Sequence, residues 1–456
     1  MLATCFPNAA TWLLALLVCV LIPSSLIGIH IHENPRLSPI DEITQYDYVN
    51  RLAAGSFPRL GQSLLPSTLH VLSCRGSAFP EGSTPPCPGT ANPRQYPGGG
   101  YQYEAQQPPT YYAATVPVRW LGVQLFGLDE VTAARAGGAL WVSFGLLLLW
   151  MAGGILGVSR RKMVPAILLL AGAPVVIYQS SIVSNDAPAL FAGGLVLFLG
   201  ALAWTRPARW LAPVLALAGF VVTSIKLDDA LAPLAVSVVL ALATWTRLGS
   251  SDGWRHRLQA SLARWAPHGG ALLAGAVLSA LAWIIINRHL NLINPKTLPT
   301  FDILRMKPIR FSDIAREALT MLNPLGASFD PWRTNTIGRP LASVLSRNLQ
   351  TITSTLTQFL LIAGGLAGLF VHPRRWPHWL GLTSLATLYL GGIVLGVGVW
   401  RTYNANPSLS GRYGLAVAPL LVLALVAGLR GRAAVIGVWA FSLATCALAY
   451  FYLFST

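Results

Sequence analysis

The sequence predicts an all-α polytopic membrane protein, on three observations. Of 456 residues, 54% are hydrophobic and only 11% are charged, against about 25% charge in an ordinary soluble chain. The apolar residues gather in blocks close to the ~20 that a helix needs to cross a hydrocarbon core. The alternation in ~10-residue units that marks a membrane β-barrel is absent. A formal charge of +16 does not point to nucleic acid, because the basic residues are scattered through loops and form no stripe.

Taken in order, the first apolar run covers residues 11–31. No Lys or Arg precedes it, and it is longer than the ~7–15 residues of a signal-peptide core, so a retained anchor is expected. A polar region rich in Pro, Gly and Tyr follows, to about residue 108. Cys74 and Cys87 lie in it and can pair if it faces an oxidising compartment. Cys5, Cys19 and Cys446 sit in or beside apolar segments as packing residues, and no zinc-type Cys or His spacing occurs. Residues 109–128 contain Pro117 and Arg119, which make a poor span but suit an amphipathic helix lying at the membrane interface.

Ten more spans are expected, at 131–158, 163–181, 187–204, 210–225, 230–245, 269–286, 353–370, 379–399, 414–429 and 435–454, giving about eleven in one transmembrane domain, 1–456. Two long loops interrupt it, 32–130 and 287–350, and no internal repeat of the transporter kind is visible. The short loops at 160–162, 206–209, 247–264, 374–375 and 430–432 hold 13 Lys and Arg and one acid, Asp252. All five fall on one side only if 109–128 does not cross, and the positive-inside rule makes that side cytoplasmic. The N-terminus is then inside, and the long loops and the other 15 acids face out.

Six groups meet on that outer face. Asp41-Glu42, with Asp47 following, comes just after the first span; acids there serve equally as a solvated helix start. Glu104, Gln106 and Gln107 precede Pro108-Pro109 and the pair Tyr111-Tyr112, a rigid step into a helix or an ordinary aromatic belt. Ser184-Asn185-Asp186 reads as a helix cap or as site residues. Lys226-Leu227-Asp228-Asp229 interrupts an apolar stretch from 210 to 245, where charges need partners; a self-paired Lys–Asp turn is as ordinary as a functional role. Gly411-Arg412-Tyr413 opens the tenth span, where an Arg fork and a helix N-terminus together suit a phosphate, and snorkelling is the plain alternative. Asn323-Pro324-Leu325-Gly326 and Phe329-Asp330-Pro331-Trp332 are turn signals without evident chemistry. Carboxylates, a cation over a phosphate position and aromatic walls describe a pocket for a phosphorylated amphiphile such as a lipid-phosphate sugar.

At these residues the chain resembles the GT-C superfamily of bacterial membrane glycosyltransferases, closest to a bacterial group of predicted membrane proteins of unassigned function. The matching positions are Asp41-Glu42 with Tyr48 and Pro58, Glu104 to Tyr112, Ser184 to Asp186, and Gly411-Arg412-Tyr413, spread in family order over about 370 residues. Two positions depart from the pattern: Gln45 stands where such proteins carry the His of Asp-Glu-x-x-His, and Gln107 where they carry His before Pro-Pro. The resemblance implies a GT-C-like bundle with juxtamembrane helices in the first outer loop, and a polyprenyl-phosphate sugar as donor. It implies transfer with inversion to an acceptor hydroxyl on a glycan, lipid or protein.

In that reading Asp41 is the general base, and Glu42 orients the acceptor or binds a divalent metal if one is used. Arg412 with Lys226 steadies the leaving phosphate, Glu104 and Gln107 meet sugar hydroxyls, and Tyr111 and Tyr112 form walls. Asn185, Asp186, Asp228 and Tyr413 complete the substrate-binding set. Membrane lipids are the remaining partner, and no cofactor is called for. Two other readings stand beside this one. A transporter or flippase for a lipid-linked or anionic solute would place charges near the midplane along opposed cavities. A non-catalytic subunit of a cell-envelope glycan assembly would account for Gln45 and Gln107.

Overall fold

In a computed structural model, the structure describes residues 8–39, 41–77, 84–247, 254–290, 310–326, 341–371, 376–403 and 409–454. Among the described residues 81% are helical and no strand occurs. Much of the second long loop, including Phe329 to Trp332, and residues 406–408 lie outside them.

Helix α1, Ala9–Glu33, is apolar, and the Asn8 side chain caps it by accepting from the Thr11 N–H at 3.0 Å. Its Leu17–Leu21 turn is π-helical, just before Pro23. Such a widened turn reorganises the hydrogen bond that a proline removes. Between α1 and the next long helix lie α2 (Glu42–Ala53), α3 (Pro66–Arg75), three short 3₁₀ turns and α4 (Thr110–Phe126). A disulfide joins Cys74 to Cys87 and ties α3 to the segment that leads to residue 104. Tyr111, Tyr112 and Thr115 of α4 are buried, while Trp120, Leu121, Leu125 and Phe126 are exposed and Arg119 bonds to Asn50. With Pro117 inside it, this helix is not among those apolar enough to cross.

Among the described residues seven helices are long and apolar enough to span a membrane, or eight if one bent pair counts as one span, as in a multi-pass membrane protein. They include α5 (Glu130–Ile155), α11 (Trp254–Leu290), α14 (Trp376–Tyr403) and α16 (Arg432–Phe454). The bent pair is α6 (Arg160–Ala171) and α7 (Pro174–Ser180), which meet at 58°. The break is chemical: the residue before a proline is pushed out of the helical region, and Ala173 is extended, with ψ 125, before Pro174. Among the described residues, two further apolar helices are shorter than 18 residues, α8 (Ala189–Thr205) and α9 (Leu211–Ile225), and residues 351–366 form an apolar stretch within α13 (Leu341–Val371). At about 1.5 Å per residue α8 and α9 fall short of a ~30 Å core, so the eleven spans expected are not confirmed by length alone.

Close packing between small residues places the functional segments. A side chain on Gly145 of α5 would meet the Leu190 backbone at 2.5 Å, and one on Gly194 of α8 would meet the Gly145 carbonyl at 2.5 Å. Small residues let membrane helices approach to backbone contact in this way. On the other side of α8, a Cβ on Gly193 would lie 2.0 Å from the Ala416 carbonyl. The segment Gly411–Val417, which leads into α15 (Ala418–Gly428), is therefore pressed against α8. That contact brings Arg412 beside the N-terminal end of α8, where Asp186 lies.

Candidate functional site

The site begins with a backbone irregularity at Asp41. This residue has φ +61, in the left-handed region, which is uncommon outside glycine and tolerated best by Asn and Asp. Its carbonyl accepts from the Thr44 hydroxyl at 2.8 Å and the Gln45 N–H at 3.0 Å, so Asp41 caps α2 with its main chain alone. The carboxylate is thereby left for other partners. Oδ1 accepts from the Tyr103 hydroxyl at 3.0 Å, and Oδ2 from Arg412 Nη2 at 3.0 Å.

Glu42 points elsewhere. Its side chain and that of Arg135 on α5 are both fully buried. Arg135 donates from Nε and Nη2 to the two carboxylate oxygens, each at 2.7 Å, and also to the Asn34 and Arg36 carbonyls at 2.8 Å. Glu42 further accepts from the Ser38 N–H at 2.6 Å and the Val183 N–H at 3.0 Å. Every strong acceptor direction of Glu42 is thus spent on protein groups. It is a structural clasp, not the acceptor-orienting or metal-binding group expected from its position beside Asp41.

The 183–186 turn is held by one capture per residue. Glu42 takes the Val183 N–H, the Tyr111 hydroxyl takes that of Ser184 at 2.9 Å, and Gln45 Oε1 takes that of Asn185 at 2.7 Å. The Ser184 hydroxyl takes that of Asp186 at 3.2 Å. Gln45 therefore joins α2 to this turn through an amide oxygen. Asp186 does not cap α8 with its side chain: its carboxylate forms an ion pair with Lys226 and lies 3.5 Å from Arg412 Nε. Asn185 is buried, and its Nδ2 has no hydrogen-bond partner.

Lys226 closes α9 in an extended conformation, φ −152, so its side chain leaves the helix axis toward Asp186. Asp228 Oδ2 is 3.5 Å from the same ammonium, so the expected Lys–Asp turn exists but is the weaker of two pairings. The Tyr413 ring lies under both cations, 4.6 Å from Lys226 Nζ and 5.4 Å from Arg412 Cζ. Such ring–cation contacts hold a charge without neutralising it.

Glu104 completes the set from the 3₁₀ turn Glu104–Gln106. Burial, and the Asp41 carboxylate nearby, push its pKa up to about 8, so the carboxyl is protonated at neutral pH and can donate a hydrogen bond. The Tyr112 hydroxyl reaches it at 3.4 Å, and the Tyr112 ring stacks on Tyr48 with centroids 4.0 Å apart. Tyr111 and Tyr112 are buried supports that act through their hydroxyls. Gln107 contributes its carbonyl, which accepts from the Tyr48 hydroxyl at 3.2 Å. Asp47, the third acid of the α2 motif, is likewise structural, bonded to Arg51 at 2.7 Å, to the Leu65 N–H at 2.8 Å and to Gln102 at 3.1 Å.

Asp41, Glu104, Asp186, Lys226, Asp228, Arg412 and Tyr413 thus gather in one place. Two further residues matter that the sequence reading passed over. Tyr103 holds Asp41, and burial beside that carboxylate raises its pKa, so it stays a phenol and a donor. Arg135 carried a readable signal, because an Arg inside an apolar span needs an acid partner. Beyond Arg412 opens a cavity of about 420 Å³, lined among others by Thr320, Asn323, Gln358 and Ser410. A side chain on Gly411 would strike the Asn323 carbonyl at 2.1 Å, so glycine is required at this wall. No group of three or more His, Cys, Asp or Glu arranged to hold a metal occurs among the described residues. Compared with known proteins, the chain matches no family model, no curated protein and no solved structure.

Proposed function

We propose that the chain is a membrane glycosyltransferase of GT-C type that moves a sugar from a polyprenyl-phosphate donor to an acceptor hydroxyl on the extracytoplasmic face. The observation that carries this reading is the contact of Asp41 with Arg412, 371 residues apart in sequence, beside the Asp186–Lys226 pair. A single displacement at a sugar carbon needs a base and a phosphate-binding cation within reach of one substrate. Eleven crossings, counting α8, α9 and residues 351–366 with the longer helices, would put these groups outside. The Cys74–Cys87 disulfide suits the same side, since disulfides persist in oxidising compartments.

In this mechanism the acceptor hydroxyl gives its proton to Asp41 as its oxygen bonds to the anomeric carbon. The bond from that carbon to the phosphate oxygen breaks, and the electron pair leaves with the phosphate. Arg412 and Lys226 meet the charge that develops there, as fixed cations do for a leaving group. The configuration inverts, because attack and departure lie on opposite faces. The Glu104 carboxyl, neutral below about pH 8, donates to a sugar oxygen and keeps one negative charge away from the phosphate.

The test is the fate of label in vesicles that hold the purified chain and a polyprenyl-phosphate sugar labelled in the sugar. Label should pass to added acceptor, and the rate should fall as pH rises through about 8, where Glu104 ionises. Glu104→Gln should remove that limb of the profile. Movement of intact donor across the bilayer without transfer would replace this reading with the transporter.

A further inference from the structure

Arg412 touches three things at once. It donates to Asp41 Oδ2 at 3.0 Å, lies 3.5 Å from Asp186, and forms part of the wall of the 420 Å³ cavity. Its side chain is 15% exposed, against 4% for Lys226, so of the two cations it has the freer approach to that cavity. Asp186 keeps its ion pair with Lys226 whatever Arg412 does, and Lys226 has Asp228 as well. Among the described residues Asp41 has no second cation: its other partner is a neutral phenol, Tyr103. A proton taken up on Oδ2 while Arg412 donates into that oxygen would break the Asp41–Arg412 ion pair and leave the guanidinium with Asp186 alone.

Resting on the phosphate reading above, we propose that Arg412 is a two-position latch, held by Asp41 when the site is empty and handed to a phosphate in the adjacent cavity when donor binds. Handover frees Asp41 Oδ2 to take the acceptor proton only after the phosphate is in place. Donor binding therefore precedes activation of the acceptor, and an acceptor arriving alone meets a blocked base. The cavity suits this use. Ser410 precedes Gly411, whose bare backbone faces the Asn323 carbonyl, and Thr320, Asn323 and Gln358 bring hydroxyl and amide groups to the same space. The Thr320 hydroxyl donates to the Leu409 carbonyl at 2.9 Å, which pins the strand of chain that carries Arg412 while leaving its long side chain to move.

A latch of this kind lowers apparent affinity by the fraction of time Arg412 is unavailable. Breaking it should therefore tighten phosphate binding, although it removes a residue of the site. The measurement is equilibrium binding of a radiolabelled polyprenyl monophosphate to the full chain in detergent micelles. Asp41→Asn keeps the size and shape of the side chain, and it should bind the probe about tenfold more tightly than wild type. Asp229→Asn is the control for a substitution within the same cluster. Asp229 is buried within reach of Lys226 and Asp186, and its Oδ2 has no partner. This variant removes an acid from the same cluster without releasing Arg412, so it should stay within about twofold of wild type.

Equal tightening in both variants would mean that the effect does not come from releasing Arg412, and would overturn the latch. An unchanged or weaker Asp41→Asn would overturn it as well. Binding by neither wild type nor Asp41→Asn would overturn the phosphate reading itself, and the latch with it. Matching elution profiles and melting temperatures of the three proteins establish that they are folded.

Discussion

Asp41→Asn is expected to reduce sugar transfer by about 10² to 10⁴, the range a positioned general base contributes, while the protein remains folded. The variant keeps the volume of the side chain and an oxygen for the Tyr103 hydroxyl. What it loses is the group that takes the acceptor proton in the proposed mechanism. Arg412→Ala should reduce transfer by about 10² to 10³, the scale seen when one preorganised donor to developing charge is removed. The two variants part company in binding: the first should hold polyprenyl phosphate more tightly than wild type, and the second more weakly. Lost turnover with tightened binding is a signature that a misfolded site does not produce. Turnover of Asp41→Asn within tenfold of wild type would remove Asp41 from the chemistry.

The second large effect is on stability. Arg135→Ala should lower unfolding free energy by about 3–5 kcal/mol, the usual result of removing one partner from a buried ion pair, out of a total of about 5–15 kcal/mol. Glu42 would be left buried with no cation. The Asn34 and Arg36 carbonyls would lose their donor as well. Because Glu42 also holds Ser38 and Val183, the damage should reach both segments that carry site acids, those at 41 and 186. A double variant, Arg135→Met with Glu42→Gln, should recover part of the loss, since it leaves no uncompensated charge. Thermal unfolding in detergent is the readout. A melting temperature for Arg135→Ala equal to wild type would mean that the clasp does not hold the fold.

Much of the site was legible in the sequence because a low-charge chain makes each charge conspicuous. Asp41, Glu104, Asp186, Lys226, Asp228 and Arg412 stood out against apolar surroundings, and they lie together. What could not be read was direction. Whether Asp41 or Glu42 faces the site depends on the left-handed backbone at residue 41, and no local pattern encodes that choice. Gln107 shows the same limit: its side chain looked available, yet its carbonyl makes the contact. Arg135 was overlooked because hydropathy absorbed it into a span, although its charge alone called for a partner. The helical, membrane-spanning character was plain from composition. The eleven spans are not confirmed, because α8 and α9 are bounded by turns that begin at Asp186 and Lys226, and these charged residues shorten the apolar helices on either side.

Whether residues 41 and 412 share one site is testable without any substrate. In a chain with Cys5, Cys19 and Cys446 replaced by Ser, and Cys74–Cys87 left bonded, Asp41→Cys and Arg412→Cys are introduced together and treated with a short bifunctional thiol reagent. Proteolysis and mass spectrometry should then recover one intramolecular link between peptides that are hundreds of residues apart. Absence of that link, in protein where a control pair such as Thr44→Cys with Gln102→Cys does react, would mean that the proposed base and the proposed phosphate-binding cation never meet.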